Sequence, residues 1–256
     1  MGVVGESGCG KSTLGRTIIR LIEPTSGQIL LNGEDVTFAK GKDLKKVREK
    51  MQIIFQDPYS SLNPRLTVED TIAEPLKISK KYKSKAETAE AVLELFHRVG
   101  IDERFRGAYP HEMDGGRRQR VGIARAIALN PEFVMCDEPV SALDVSIQAQ
   151  VLNLLMDLQD EFGLTYMFVT HDLSVVKHIS DDISVMYLGQ LVETSPAKEL
   201  FKMPLHPYTK ALLSAIPSID IHNKMKQIIL EGELTSAINP QPGCRFAPRC
   251  PYAKEQ

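Results

Sequence analysis

The sequence predicts an α/β fold with a mostly parallel β-sheet. Short apolar runs, which are typical of buried strands, alternate along the chain with longer segments whose apolar residues recur at helical spacing. The first apolar run, residues 1–4, leads directly into a glycine-rich segment and then into the first helical pattern. No internal repeat is visible.

The order of the predicted elements gives the domain organisation. After the run at 1–4, strands are predicted at 28–31, 51–55, 133–136 and 166–169, and helices at 14–22, 67–107, 116–129 and 145–162, with residues 85–99 the most amphipathic part of the long one. Residues after about 200 are richer in proline and have little periodicity. We therefore expect a main domain at 1–200, a helical subdomain at about 67–129, and a C-terminal extension at 201–256.

The composition is that of an ordinary globular protein, with 43% hydrophobic and 25% charged residues. A formal net charge of -2 gives no general basic field for nucleic acid. No apolar run approaches the roughly 18 residues of a membrane span. Met1 leads at once into a glycine-rich loop, so no signal peptide is predicted, and we expect a cytosolic protein that reaches a membrane through a partner. In a cytosolic protein, four scattered cysteines do not predict disulfides.

The glycine-rich segment fits the phosphate-loop pattern G-x-x-x-x-G-K-[ST] at Gly5, Gly10, Lys11 and Ser12. Glycines let backbone N–H groups curl around phosphate oxygens, the lysine reaches the β- and γ-phosphates, and the hydroxyl ligates Mg²⁺. The alternative is a strand-to-helix turn with an exposed lysine, and the motif does not separate kinases, GTPases, helicases and transporter subunits. The predicted nucleotide-binding residues are Gly5, Glu6, Ser7, Gly8, Cys9, Gly10, Lys11, Ser12, Thr13 and Gln56.

Polar residues at three predicted strand ends are candidates for catalysis. Asp137 would hold Mg²⁺ through a coordinated water, and Glu138 is placed to polarise an attacking water as a general base. His171 would contact the γ-phosphate and orient the water, and Gln56 would offer an amide oxygen to Mg²⁺ or to the water. The alternatives are solvated acids at a strand end and a structural histidine. The predicted metal ligands are Ser12, Gln56 and Asp137.

The order and spacing of these motifs resemble the ABC ATPase family over nearly the whole chain. Residues 5–13 resemble its Walker A loop, Gln56 its Q-loop, 133–138 its Walker B strand, 141–144 its D-loop with Asp144, His171 its switch histidine, and Asp114, Gly115, Gly116 and Arg117 its signature motif. The resemblance implies a P-loop NTPase fold in which two ATPase domains enclose two ATP molecules. Each site then joins the phosphate loop of one subunit to the signature of the other.

Three tracts narrow the resemblance to the oligopeptide and dipeptide importer branch. They are residues 55–64, 206–213 and 243–251. The branch implies peptide import, although relatives carry nickel or sugars. It also implies a peripheral position at the cytoplasmic face of the membrane, with a second ATPase subunit, two transmembrane permeases and an extracytoplasmic peptide-binding protein as partners. The segment after Gln56 and the region 67–107 would then dock on the permeases.

The signature departs from the family pattern, because Asp114 stands where a serine is usual. The usual hydroxyl donates to the γ-phosphate across the dimer, whereas a carboxylate would repel it by about 4 kcal/mol at ~4 Å and an effective dielectric of ~20. Arg117 would offset part of that repulsion. The alternative is that Asp114 only caps the following helix, since aspartate ranks with serine there. The first interpretation predicts an asymmetric heterodimer with one competent and one degenerate ATP site.

Three further features depart from the family or extend it. In the family, a longer segment precedes the phosphate loop, and this segment binds adenine. In this chain Met1 lies only four residues before Gly5. We therefore expect either a misassigned start or a fragment that binds adenine weakly. Cys244 and Cys250 resemble half of a four-cysteine iron–sulfur site, so no cluster is expected in this chain. Cys9 lies beside Lys11 at a helix start, which predicts a lowered pKa and a reactive thiol.

Two other functions stay open at this point. One is a soluble ABC ATPase that acts on ribosomes or DNA, although such proteins usually carry a second cassette or a long coiled-coil insertion. The other is an inactive nucleotide-binding fragment, against which the intact Glu138 and His171 argue. The sequence does not predict which peptide is carried, because the other subunits bind it.

Overall fold

The computed structural model describes residues 1–216, 227–230, 232, 240 and 242–254. The chain divides into two compact units, the first formed by residues 1–14 and 168–256 and the second by residues 15–167. The predicted extension at 201–256 therefore lies partly outside the described residues. The predicted domain boundaries at 200 and at 67–129 stay predictions.

Strands and helices alternate through the second unit and into the first, as an α/β fold requires. Within the described residues the strands are β1 (Gly2–Val4), β2 (Leu30–Leu31), β3 (Glu34–Asp35), β4 (Met51–Ile54), β5 (Phe133–Asp137), β6 (Thr165–Thr170), β7 (Asp182–Tyr187) and β8 (Gln190–Pro196). The α-helices are α1 (Lys11–Ile18), α2 (Gly41–Lys50), α3 (Pro58–Ser61), α4 (Val68–Ser79), α5 (Lys85–Arg98), α6 (Gly115–Ile127), α7 (Val145–Phe162), α8 (Leu173–Ile179), α9 (Ala197–Lys202) and α10 (Pro207–Ser214).

The first unit is built on a mostly parallel sheet. β1 lies between the end of β6 and β7 and is parallel to both, so that Val4 is opposite Thr170 on one side and Val185 on the other. β8 returns antiparallel beside β7 after a tight turn at Leu188 and Gly189, both of which have positive φ. The residues of β1 and all of β7 after Asp182 are buried, as expected for parallel strands covered on both faces.

The second unit contains a parallel strand pair and a group of helices. β4 and β5 run side by side, with Met51 opposite Phe133 and Ile54 opposite Cys136. The helix α4 buries Val68, Ile72 and Leu76, which recur every four residues on one face. In the part of the chain that the structure describes, no helix is both long enough and apolar enough to cross a lipid bilayer.

Most predicted elements are confirmed, but two helix predictions are wrong in their extent. The helical region predicted at 67–107 contains two α-helices and ends early, because Lys80 adopts a left-handed conformation (φ 56°) that ends α4, Ser84 caps the start of α5, and α5 ends at Arg98. The helix predicted at 14–22 begins earlier, at Lys11, and ends at Ile18. The strand predicted at 28–31 is only two residues long. The prediction for α7, 145–162, matches the helix at both ends.

Candidate active site

The phosphate loop connects β1 to α1 and can be built only with small residues at its turns. A Cβ atom at Gly5 would lie 2.1 Å from the carbonyl oxygen of Met186, which is far closer than atoms can approach. Gly10, directly before α1, has φ 102°, a conformation that L side chains rarely adopt. The loop therefore has the backbone that the phosphate-loop pattern predicts, and its helix begins at Lys11.

Lys11 is a buried cation whose hydrogen bonds go to neutral groups. Its side chain is buried (5% exposed), and its Nζ donates to the carbonyl oxygens of Gly5 at 2.7 Å and Glu6 at 3.0 Å. A further contact runs to Cys9 Sγ at 3.8 Å. A buried ammonium held by neutral acceptors favours the arrival of an anion. The loop is thus chemically suited to a phosphate group.

Cys9 does not have the lowered pKa that its position in the sequence predicts. The residue is 3% exposed, and burial raises the pKa of its thiol despite the neighbouring Lys11 ammonium. The sequence shows the nearby cation but not the desolvation, which is the larger effect here. The predicted lowering of the Cys9 pKa is therefore wrong.

His171 lies at the same sheet edge as the phosphate loop. It follows Thr170, the last residue of β6, and Thr170 is paired with Val4, the last residue of β1. Gly5 directly follows Val4, and His171 directly follows Thr170. The two residues therefore leave neighbouring strands at opposed positions. The histidine is exposed. The first unit thus brings the loop and the predicted histidine together.

The second unit brings together Gln56, Asp137 and Glu138. Asp137 ends β5 and is 1% exposed, and Glu138 follows it. Ile54 is paired with Cys136, so Gln56 and Glu138 lie two residues beyond the same register position. The Nε2 of Gln56 donates to Glu138 Oε2 at 3.0 Å, which holds the carboxylate in place.

Glu138 has an unusual backbone conformation for a residue with a long side chain. Its φ is 46°, in the left-handed region that non-glycine residues rarely occupy. Such conformations cost of order 1–3 kcal/mol and cluster at functional sites. The strain supports the interpretation of Glu138 as a functional residue rather than a solvated strand end.

Arg16 is a site residue that the sequence analysis missed. It lies on α1, and its Nη2 is 3.2 Å from Oδ2 of Asp137. The arginine side chain is 46% exposed, whereas the aspartate is buried. An arginine on a first helix is too common a feature to be recognised in the sequence, because only the fold brings it to the end of β5.

The signature residues form the start of α6. Asp114 is the N-cap, its Oδ1 accepts the backbone N–H of Arg117 at 2.8 Å, and its Oδ2 is paired with Arg117 Nη1 at 2.8 Å. A Cβ atom at Gly116 would lie 2.7 Å from Cγ2 of Ile147, so the glycine lets α6 approach α7. Asp144 is the N-cap of α7 but makes no side-chain capping bond. Capping by Asp114 is confirmed, and its predicted effect on a partner's ATP site stays a prediction.

The predicted site residues are divided between the two units. The first unit contains residues 5–13 and His171, and the second contains Gln56, the signature, Asp137, Glu138 and Asp144. Cys244 is exposed, Cys250 is half-buried, and both are free. Among residues 1–216, 227–230, 232, 240 and 242–254, no group of three or more histidine, cysteine or acidic side chains is placed to hold a metal ion. The prediction that this chain binds no iron–sulfur cluster stays a prediction.

Two family models match this chain, one in its N-terminal part and one in its C-terminal part. Residues 1–141 match the family model described as ABC transporter, and residues 192–256 match the one described as oligopeptide/dipeptide transporter, C-terminal region. The oligopeptide transport ATP-binding protein AppF of Bacillus subtilis (strain 168) is 56% identical, over 99% of this chain and 78% of its own length. The dipeptide transport ATP-binding protein DppF of Haemophilus influenzae is 51% identical, over 100% and 78%.

Solved structures agree with these matches. The CbiO1 subunit of Clostridium perfringens, part of the ABC transporter complex CbiONQ, has a TM-score of 0.70 and 29% identity, covering 78% of each chain. The dimeric post-hydrolysis state of the ATP-binding cassette MJ0796, bound to ADP and Pi, has a TM-score of 0.67 and 32% identity, covering 77% of this chain and 84% of its own.

Proposed function

Since this chain belongs to the ABC transporter family, whose ATPases are coupled to transport, we propose that it is the ATP-hydrolysing subunit of an importer of oligopeptides or dipeptides. The observation that carries ATP binding is the buried Lys11 ammonium, which the loop holds only through neutral groups. The match of residues 192–256 to the C-terminal region of oligopeptide and dipeptide transporters supports the substrate class. That match also disfavours a soluble ABC ATPase that acts on ribosomes or DNA.

The residues proposed to hold Mg²⁺ have the chemistry that this ion requires. Mg²⁺ prefers oxygen ligands, which the Ser12 hydroxyl, the Asp137 carboxylate and the Gln56 amide oxygen can offer. Asp137 already forms an ion pair with a cation, Arg16, so its position suits positive charge. When bound, Mg²⁺ neutralises phosphate charge. Lys11 and the backbone of residues 5–13 then bind the phosphates.

Glu138 is the proposed general base for the attacking water. The hydrogen bond from Gln56 fixes the Glu138 carboxylate in the position from which we propose that it activates the water. His171, at the edge of the first unit's sheet, is the proposed contact to the γ-phosphate. Asp144 and the signature residues Asp114–Arg117 are proposed to act on the ATP of a second subunit.

The proposed assembly contains a second ABC ATPase subunit, two transmembrane permeases and an extracytoplasmic peptide-binding protein, with this chain peripheral at the cytoplasmic face of the membrane. We place the ATPase domain at 1–200, with the helical subdomain at about 67–129, and the importer-type extension at 201–256. The second ATPase is proposed to be a different chain. Asp114 would then face that chain's nucleotide and make one of the two sites degenerate.

Replacement of Glu138 by glutamine tests the proposal in the complex reconstituted with its cognate partners. Loss of the general base is expected to lower the ATP hydrolysis of this chain's own site by at least about 100-fold while MgATP binding is retained. Glu132→Gln is a matched control, because Glu132 lies at the opposite end of β5 and pairs with Lys50 on the surface. Hydrolysis that survives Glu138→Gln unchanged would remove the proposal.

A further inference from the structure

The C-terminal extension of this chain returns to the phosphate loop and forms an ion pair with it. Arg249 Nη1 lies 3.0 Å from Oε2 and 3.3 Å from Oε1 of Glu6, the second residue of the loop. The arginine side chain is 9% exposed and the glutamate side chain 25% exposed, so the pair is largely shielded from water.

A second contact fixes the backbone of the same loop residue. The N–H of Glu6 donates to Oη of Tyr208 at 2.9 Å, and Tyr208, on α10, is fully buried. This amide is therefore directed to the tyrosine. Tyr208 fixes the direction in which the loop leaves β1, while Arg249 neutralises the negative charge of the Glu6 side chain.

Buried aromatic rings hold Tyr208 and the C-terminal segment together. The ring centroid of Tyr187, at the end of β7, lies 4.7 Å from that of Tyr208 and 5.2 Å from that of Phe246, and all three residues are at most 1% exposed. Arg245 donates to the carbonyl oxygen of Leu188 in the β7–β8 turn. The next residue, Gly189, donates its N–H to the carbonyl oxygen of Cys9 at 2.8 Å. The extension therefore contacts the phosphate loop directly at Glu6. It also reaches Cys9 of the loop indirectly, through the β7–β8 turn.

The ion pair matters for nucleotide binding because of the sign of the charges. A carboxylate in a loop that binds a triphosphate repels its ligand unless a cation neutralises it. Arg249 is the cation that the structure places on Glu6. Without it, Glu6 would oppose the polyanion that Lys11 attracts.

We propose that Arg249 and Tyr208 are positioning residues of the ATP site, through which the C-terminal extension sets the charge and the shape of the phosphate loop. The inference rests on the proposed function, since it takes the anion bound by the loop to be a triphosphate. Neither residue touches the nucleotide: Arg249 acts through the Glu6 carboxylate and Tyr208 through the Glu6 amide.

The test is the dissociation constant of MgATP, measured on the full chain at two salt concentrations. Arg249→Gln is expected to weaken binding on the order of tenfold, and more at low salt than at high salt, because an uncompensated carboxylate then faces the phosphates. Glu6→Gln added to Arg249→Gln is expected to recover most of that loss. Arg249→Lys keeps the charge and should stay close to the original affinity. The matched control is Arg104→Gln, which removes an exposed arginine paired with Asp102.

Tyr208→Phe tests the second contact, because it keeps the buried ring and removes only the acceptor of the Glu6 N–H. Tyr208→Phe is expected to weaken MgATP binding by the same factor at both salt concentrations. Thermal unfolding without nucleotide checks that every variant is folded.

Three outcomes separate the possibilities. Binding by Arg249→Gln at the original affinity overturns the inference. Equal weakness of Arg249→Gln and the double variant also overturns it, because the arginine would then act only through folding. Failure of the original chain to bind MgATP would instead refute the proposed function.

Discussion

Replacement of Asp114 by serine separates the two roles of this residue. As the N-cap of α6, Asp114 accepts the N–H of Arg117 at 2.8 Å, and a serine hydroxyl can accept the same bond. As a signature residue, Asp114 is proposed to face the nucleotide of a second subunit, where only the hydroxyl can donate. Stability and hydrolysis should therefore respond differently to one substitution.

The effect on stability is expected to be small. Aspartate and serine differ little as N-caps, so the capping bond is largely kept. The lost ion pair joins two side chains that are 57% and 46% exposed, and such surface pairs are worth about 0–1 kcal/mol. Asp114→Ser should therefore lower the free energy of unfolding by less than about 1 kcal/mol, as measured by urea denaturation.

The effect on hydrolysis is expected to be larger. An unpaired carboxylate at ~4 Å from a phosphate charge is repelled by about 4 kcal/mol at an effective dielectric of ~20. If the 2.8 Å pairing with Arg117 cancels half of this, about 2 kcal/mol remains. That energy corresponds to roughly 30-fold in the rate at the affected site.

Total turnover is a poor measure, because under the proposal one competent site supplies most of it and repair of the other can at most about double it. The assay therefore uses the reconstituted complex with Glu138→Gln in this chain, which is expected to silence the proposed competent site. The residual ATP hydrolysis then reports the site that Asp114 faces, and Asp114→Ser should raise it roughly 30-fold. Asp102→Ser is the control, because Asp102 is also exposed, caps the short 3-10 helix Glu103–Phe105 by accepting a backbone N–H, and pairs with Arg104. No rise in this background would refute the degenerate site.

Two other predictions follow from the site. Arg16→Ala removes the cation beside the buried Asp137 and should lower the free energy of unfolding by about 1–2 kcal/mol, since the arginine is half exposed; added Mg²⁺ and ATP should recover part of the loss in thermal unfolding. Cys9 should resist alkylation at pH 8 while the exposed Cys244 is modified, because burial raises the pKa of the Cys9 thiol and keeps it protonated; mass spectrometry of the labelled peptides checks this, and rapid labelling of Cys9 in the folded chain would contradict it.

Local signals allowed the sequence to predict elements whose ends are determined by nearby residues. The helix α7 is predicted correctly at both ends because its apolar residues recur at helical spacing and Gly163, with φ 62°, ends it. The break between α4 and α5 also has a local signal. Ser84 caps α5 by accepting the N–H of Glu87, and the Glu87 side chain accepts the N–H of Lys83, the residue before the cap. The residues on both sides of this break favour helix, so the break was not predicted.

The long-range contacts of the candidate site residues could not be predicted in this way. The pairs that matter, Arg16 with Asp137, Tyr208 with Glu6 and Arg249 with Glu6, join residues 121, 202 and 243 positions apart. Each partner is an ordinary residue whose role depends on which strands lie side by side. The pKa of Cys9 was mispredicted for the same reason, because the sequence shows a neighbouring charge but not the burial around it.

The left-handed backbone of Glu138 has an implication for how such a chain can change over generations. A glycine or an asparagine tolerates that backbone better than glutamate does, so either replacement would relieve the backbone strain while removing the proposed general base. Either replacement would also remove the carboxylate that accepts the hydrogen bond from Gln56. A chain that drifted to one of these residues would therefore lose the proposed chemistry and the strain together.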